Sequence, residues 1–381
     1  MKAPVFVGPS SAGQGVFARR ALTLGETVGR ITGARTTAPP NGYQIEFGDE
    51  LYWEPAAPFR YLNHSCEPNC EVWFVEDDDP AESELIVKTN RRVEPGEELC
   101  FDYQWPEDDP IRCACGTPSC RGWVVEDARV PHTRRAHYRA LAKQKPAASL
   151  GKANFFHLLS GRGQRFARME TPKAGKAALN EKLRVYEGLL EKSAAKRLRA
   201  ALEKELYPVM RLHSRRVQNG DAKSQSPGSE RHRVVSLVDE KRSVVTALEK
   251  TGVASLFRSI EFHDLAQALS GMRLQRRFDV QIRCYEAGDH CASIALQKPD
   301  QKKASDGVDV QLTLCSPTVE SQWIVYEDDG HFSRVANVAQ PGVFSVYRTP
   351  FSHYTTPLVR EAGATRGSRW VISARLQRLD K

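Results

Sequence analysis

The chain contains no run of eighteen apolar residues, so no membrane-spanning helix is expected. Its first residues, MKAPVFVGPSS, lack the apolar core of a secretory signal. The expectation is therefore an intracellular protein without a membrane partner: cytoplasmic in a bacterium, nuclear or cytoplasmic in a eukaryote. In that setting the nine cysteines read as thiols or metal ligands rather than disulfides. No internal repeat is visible, which excludes solenoid and propeller classes. Acidic residues are scarce over 129–217, with 6 against 22 Lys and Arg. Aromatics are not interleaved with those basic residues, so the segment lacks the stacking pattern of a single-strand binder.

At 381 residues the chain is too long for one ordinary core, and two or three domains are expected. Apolar residues at 40% and charged residues at 27% fit a globular chain. Charge is unevenly spread. Residues 1–125 carry 11 basic and 20 acidic side chains, a net of −9, and the rest carries +17. Six of the nine cysteines also lie in 1–125.

Residues 1–125 are rich in Gly, Pro and short apolar runs, the pattern of many short strands and turns. From Lys173 to Leu206, apolar residues recur mostly at steps of three and four. The spacing predicts one long helix ended by Pro208, inside a basic helical segment at 126–217. A polar linker is expected at 218–232. Val244 to Leu269 is helical in pattern. Alternating, β-rich runs then dominate, around Val280–Tyr285, Val308–Leu312, Gln322–Tyr326, Val343–Tyr347 and Trp370–Ala374. An all-β sandwich or jelly roll is the expected class for 233–381.

The most informative cluster is Cys113-x-Cys115-x4-Cys120. Thiolates at this spacing can wrap one soft ion, and a closed zinc site needs four ligands. Cys66 is the natural fourth. The alternative is three small residues in a turn without metal. Cys100 alternates with Leu99 and Phe101 and reads as buried filler.

Four segments resemble the SET-domain protein lysine methyltransferases with a post-SET zinc motif, over about residues 4–125. They are Gly13-Gln14-Gly15-Val16-Phe17-Ala18, Arg60-Tyr61-Leu62-Asn63-His64-Ser65-Cys66-Glu67-Pro68-Asn69, Gly96-Glu97-Glu98-Leu99-Cys100-Phe101-Asp102-Tyr103, and Cys113 to Gly122. The resemblance implies a mainly-β SET fold with a pseudoknot and an S-adenosylmethionine (AdoMet) cofactor. It implies cofactor contacts from Gly15, Arg60, Asn63, His64, Tyr103 and Trp123. It also implies a structural Zn²⁺ on Cys66, Cys113, Cys115 and Cys120. Tyr103 matches the catalytic tyrosine, Tyr43 is the candidate second channel tyrosine, and Phe101 stands where the family tunes product degree. The implied activity is AdoMet-dependent lysine N-methylation to the di- or trimethyl state. The implied partner is a protein with a basic, lysine-containing segment. A nucleic acid contact through 129–217 is a further candidate, against a solvated helical connector.

The C-terminal third more faintly resembles the 2-oxoglutarate/Fe(II) oxygenase jelly roll, at Tyr285–Asp289, Phe351–Leu358 and Arg369–Ile372. Ile294 and Leu296 stand where that family has its His-x-Asp iron ligands. Iron and 2-oxoglutarate are therefore not expected, His290 serves only with a register shift, and the domain reads as a degenerate scaffold. The function readings weighed against methyl transfer are a non-catalytic AdoMet- or peptide-binding module and a bifunctional methyltransferase/oxygenase.

Overall fold

The computed structural model describes residues 3–36, 44–46, 52–75, 83–105, 110–169, 183–216, 229–239, 241–276, 278–291, 307–328, 331–349 and 351–379. Tyr43, Ile294, Leu296 and most of the expected linker lie outside them. The chain is mainly β, with several sheets and few helices. It divides into two compact units, 1–134 and 135–381. Among the described residues no helix is long and apolar enough to cross a membrane.

Among the described residues the first unit holds ten short strands: β1 (Val5–Ser10), β2 (Gly13–Ala18), β3 (Thr27–Arg30), β4 (Gly33–Thr36), β5 (Ile45–Glu46), β6 (Tyr52–Pro55), β7 (Asn63–His64), β8 (Cys70–Val75), β9 (Glu84–Thr89) and β10 (Glu98–Phe101). They form sheets in the orders β1-β2-β10-β7, β3-β9-β8 and β4-β6-β5. Alternation dictates their faces. On β9, Leu85, Val87 and Thr89 point inward and Glu84, Ile86 and Lys88 are half-buried. Val16, Leu22, Val87, Val93 and Leu99 meet in a dry core. Gly96, at φ 81°, makes the left-handed turn that launches β10.

One pairing positions the site. β7 lies parallel to β10, with Cys100 opposite Asn63 and Phe101 opposite His64. β2 flanks β10 on its other edge, with Glu98 opposite Phe17. Two segments some thirty residues apart in sequence thus become neighbours.

Among the described residues of the second unit, all strand pairs are antiparallel. The largest sheet runs in the order Leu183–Tyr186, Val343–Thr349, Gly307–Cys315, Arg369–Gln377, Asp279–Tyr285, Ser229–Ser236, Arg211–Arg216. One face is apolar and packs on helices. Val308, Val310, Leu312, Leu314, Phe344, Val346, Trp370, Ile372 and Ala374 share a core with Leu198, Leu202, Leu248 and Phe262. The helices expected over 244–269 are Arg242–Thr251, Val253–Phe257 and Ile260–Ser270.

Two expectations are corrected. The single helix from Lys173 to Leu206 does not form. Leu183–Tyr186 is a strand paired with Val343–Thr349, with Leu183 opposite Tyr347. Gly188 at φ 68° then turns the chain, and helix starts only at Lys192. A four-residue stretch fits period two as well as period 3.6, and tertiary pairing decided. Residues 192–206 are helical, ending in a π turn over Leu202–Leu206. The basic segment is also no bare connector, because Tyr138, Phe155, Phe156 and Leu198 are buried in the second unit's core. Secondly, the end of the expected linker, residues 229–232, belongs to a strand. Its alternate polar residues Glu230 and His232 are buried, and Glu230 is paired there with His213 at 2.7 Å and Arg215 at 3.0 Å.

Candidate active site and metal centre

The parallel β7–β10 pair helps bring four of the sequence-predicted side chains to one cavity of about 670 Å³. Arg60, Asn63, Phe101 and Tyr103 line it, with Gly13, Gln14, Phe59 and Trp105. Trp105 carried a signal that sequence reasoning passed over, an aromatic two residues beyond Tyr103. Phe101 and Tyr103 rings lie 4.8 Å apart. The Tyr103 hydroxyl donates to the Leu62 carbonyl at 2.8 Å. Its proton is thereby committed. Arg60 is held by Glu54 at 3.0 Å. Gln104, next in chain, takes a left-handed φ of 50°, a costly conformation for a residue with a side chain.

Asn63 directs its Nδ2 to Glu98 Oε1 at 2.7 Å and to the Gln14 carbonyl at 2.9 Å. Ser10 donates to the other Glu98 oxygen at 2.9 Å. Gly15 was expected to clear room for a cofactor. Its missing side chain leaves room for Glu98, because a Cβ there would lie 2.4 Å from Oε1.

Asn69 also went unassigned in the sequence. It is buried, and its Oδ1 accepts from Cys100 N at 2.8 Å while its Nδ2 donates to the Glu98 carbonyl at 2.8 Å. The amide thus mimics a strand partner and ties the Asn63–Asn69 segment to β10.

His64 faces away from the cavity. Tyr103 N–H donates to Nδ1 at 3.2 Å, and Nε2 lies 3.4 Å from Cys66 Sγ. Asp102 Oδ1 is 3.5 Å from Nδ1, but both Asp102 oxygens are taken by Arg121 at 2.7 Å each. Nδ1 therefore accepts, and the proton sits on Nε2, aimed at sulfur.

The donor atoms of His64, Cys66, Cys113 and Cys115 all lie within 4.8 Å of one another. Cys120 joins them, its thiol interacting with those of Cys113, Cys115 and Cys66. Cys66 and Cys113 sulfurs are 3.6 Å apart. Tetrahedral zinc with Zn–S bonds of about 2.3 Å requires sulfurs roughly 3.8 Å apart, so the spacing fits. Hydrogen bonding from Cys113 pulls the Cys120 thiol down to about 7. The Cys115 thiol is held far below its usual value by Cys113, Cys120 and Cys66, while Cys113 is raised by the same crowding. Four soft donors with this split suit a closed zinc site. Since His64 Nε2 carries a proton, the four cysteines form the better ligand set, with His64 donating to Cys66 from outside.

Trp123 is buried away from the cavity lining, with the Arg112 guanidinium 4.3 Å above its ring. Cys100 is half-buried, and burial pushes its thiol up to about 12. In the second unit, Arg369 is buried and donates to Gln322 at 2.7 Å, and His353 is buried with Nδ1 3.1 Å from the Phe351 carbonyl. His290 binds Gly288 and Ser229.

The SET domain family matches residues 13–104. Histone-lysine N-methyltransferase trr of Drosophila melanogaster is 44% identical over 68 residues, 17% of this chain and 3% of that protein. Histone-lysine N-methyltransferase 2D of Homo sapiens is 47% identical over 70 residues, 18% of this chain and 1% of that protein. The matches thus span only a small part of those relatives' length. Among solved structures, KRYPTONITE in complex with mCHH DNA, H3(1-15) peptide and SAH is 26% identical, covers 32% of this chain and 29% of its own, and has a TM-score of 0.29. The chain carries a SET domain over residues 13–104.

Proposed function

We propose that the first unit is an AdoMet-dependent protein lysine N-methyltransferase with a structural zinc. The observation that carries this reading is the convergence of Asn63, Phe101 and Tyr103 on one cavity through the β7–β10 pairing. AdoMet, when bound, supplies a methyl group on a positively charged sulfur, open to in-line attack by an amine. The chain must align that amine and keep it neutral. Phe101, Tyr103, Phe59 and Trp105 line an aromatic wall that disfavours a charged lysine, lowering its pKa. The Tyr103 proton is bound to the Leu62 carbonyl, so the hydroxyl oxygen acts as an acceptor that orients the amine N–H. It is not a base. The Asn63 amide oxygen would accept from the cofactor's ammonium group.

Phe101 supports di- or trimethylation, because it offers no hydroxyl to hold a water in the channel. The net charge of −9 over 1–125 favours a basic substrate peptide. Transfer of label from AdoMet to lysine in a panel of basic peptides tests the reading. We expect Tyr103→Phe to lose at least a hundredfold in kcat. Absence of transfer to every lysine offered, or an undiminished Tyr103→Phe variant, overturns it.

A second reading concerns the basic helices of the second unit. Arg139 and Lys143 of helix 130–143 and Arg162 and Arg165 of helix 161–168 are exposed, and none forms an ion pair among the described residues. Such a face supports a phosphate-backbone contact with nucleic acid. Affinity for duplex DNA that falls steeply with salt, and less steeply after four Ala substitutions, is the expected result. Binding without salt dependence counts against it.

A further inference from the structure

We infer that Glu98 is a positioning residue for cofactor binding, acting through the orientation of Asn63. The inference rests on the AdoMet reading above and adds a role that the carboxylate's position supplies.

The Asn63 amide has two edges. Its Nδ2 edge faces the Glu98 carboxylate at 2.7 Å, the Gln14 carbonyl at 2.9 Å and, at 3.5 Å, the Ser10 hydroxyl, whose proton goes to Glu98, so the oxygen is disfavoured on that side. Oδ1 accepts no hydrogen bond among the described residues and belongs to a side chain that lines the cavity. The carboxylate therefore fixes which end of the amide the cavity receives. A cationic ammonium needs the oxygen. The flipped amide would present an NH₂ group and repel it.

Three features hold the carboxylate there. Ser10 donates to Oε2 at 2.9 Å. Gly15 leaves the space, since a Cβ at that position would lie 2.4 Å from Oε1 and 2.9 Å from Cδ. Glu98 itself is anchored in β10, opposite Phe17 of β2. The glycine, the carboxylate and the amide come from three strands and act as one device. Glu97, the adjacent carboxylate, is engaged elsewhere, by Arg91 at 2.6 Å and Asn69 at 3.1 Å.

Calorimetry with AdoMet on the full chain tests the inference, alongside zinc content as a check on the fold. Glu98→Ala is expected to raise the AdoMet Kd at least tenfold while kcat at saturating AdoMet falls less than about threefold. Glu98→Gln keeps an acceptor for Asn63 Nδ2 and a donor for Ser10, so it should stay within about threefold of the parent Kd. Gly15→Ala displaces the carboxylate and should weaken AdoMet as Glu98→Ala does. In an Asn63→Ala background, Glu98→Ala should add almost nothing, because the two act through one amide. Should Glu98→Ala fail to fold, the opposed outcomes of Glu98→Gln and Gly15→Ala still decide. A Glu98→Gln variant as weak as Gly15→Ala, or full additivity with Asn63→Ala, overturns the inference. Failure of the parent chain to bind AdoMet sinks the functional reading itself, a distinct outcome.

Discussion

Arg121 grips Asp102 through two parallel hydrogen bonds of 2.7 Å each. Both side chains are mostly buried, at 15% and 19% exposure. Asp102 immediately precedes Tyr103, and Arg121 immediately follows Cys120, so one fork-to-carboxylate clasp joins the end of β10 to the cysteine loop. The hydrogen-bonded Asp102 carboxylate raises the Arg121 pKa further above its usual value. A charge-assisted bidentate pair of this burial should couple by about 1.5–3 kcal/mol in a double-mutant cycle of Asp102→Asn and Arg121→Gln. Urea unfolding of the four proteins measures it. Coupling near zero would mean that solvent screens the pair as it does an exposed one.

The metal centre predicts a linked loss. Cys66 Sγ lies 3.6 Å from Cys113 Sγ and accepts from Arg121 N at 3.4 Å, although Cys66 stands in the segment that also carries Asn63. Cys66→Ala should reduce bound zinc from about one per chain to none. Amide exchange over Cys113–Trp123 should accelerate with it. Activity should fall in parallel, because the clasp to Asp102 loosens. Chelation of the parent chain should reproduce all three effects. Zinc retained at full stoichiometry in Cys66→Ala would assign His64 as the fourth ligand instead.

Much of the site was legible because chemistry restricts it to few residue types. Asn63, Phe101, Tyr103 and the clustered cysteines stand in short, unusual segments; the first three line one cavity and the cysteines gather in a separate cluster beside His64. Glu98, Asn69 and Asp102 were printed in the same segments, yet their roles depend on register. Which carboxylate of Glu97-Glu98 meets Asn63 follows from the pairing of β10 with β2 and β7, and that pairing is a long-range fact. Gly15 was legible as a close-approach glycine, but the approaching group was not. The helix expected through Leu183 failed for a related reason. Leu183 to Tyr186 satisfies both periods, and the choice was made by Val343–Thr349, more than 150 residues away.

Product degree gives a third test. Phe101 stands beside Tyr103 at 4.8 Å between ring centres, and both line the cavity. Phe101→Tyr adds a hydroxyl that can hold a water where a second methyl would sit. Mass spectrometry of a methylated peptide should shift from di- and trimethyl toward monomethyl lysine, with first-methyl turnover within about fivefold of the parent. An unchanged distribution would remove Phe101 from product control.

Packing in the second unit gives a fourth, with its own control. In helix 161–168, a Cβ on Gly163 would lie 2.1 Å from the Leu189 carbonyl, which is backbone and cannot swing aside. Gly161, two residues earlier in the same helix, has open space around its Cβ position. Gly163→Ala should destabilise by about 1–3 kcal/mol, the usual result of overpacking. Gly161→Ala should be neutral or slightly stabilising. Chemical unfolding of both variants separates the steric cause from helix propensity, which treats the two positions alike.

Acid should weaken the second unit in a defined window. Burial drives the His353 imidazole down to about 4, aided by the charges of Arg283, Arg375 and Arg369. Its ring packs against Tyr347 and Phe351, and Nδ1 sits 3.1 Å from the Phe351 carbonyl, a neutral-imidazole arrangement. An unfolded histidine takes a proton near 6.5. The folded pKa is depressed, so the full contribution is present above 6.5 and is lost as pH falls toward 4, where only the unfolded chain is protonated. The size is about 3 kcal/mol for such a displacement. His232 is also driven down to about 4 by burial, and adds a second proton to the same window. Between pH 6.5 and 4 the two histidines should together contribute up to two protons to the slope of the unfolding free energy against pH. His353→Phe keeps an aromatic ring against Tyr347 and Phe351 while removing one titrating group. Its slope should drop by one proton, even if its stability at pH 7 is lower than the parent's. A slope that does not change would show that His353 is protonated in the folded chain.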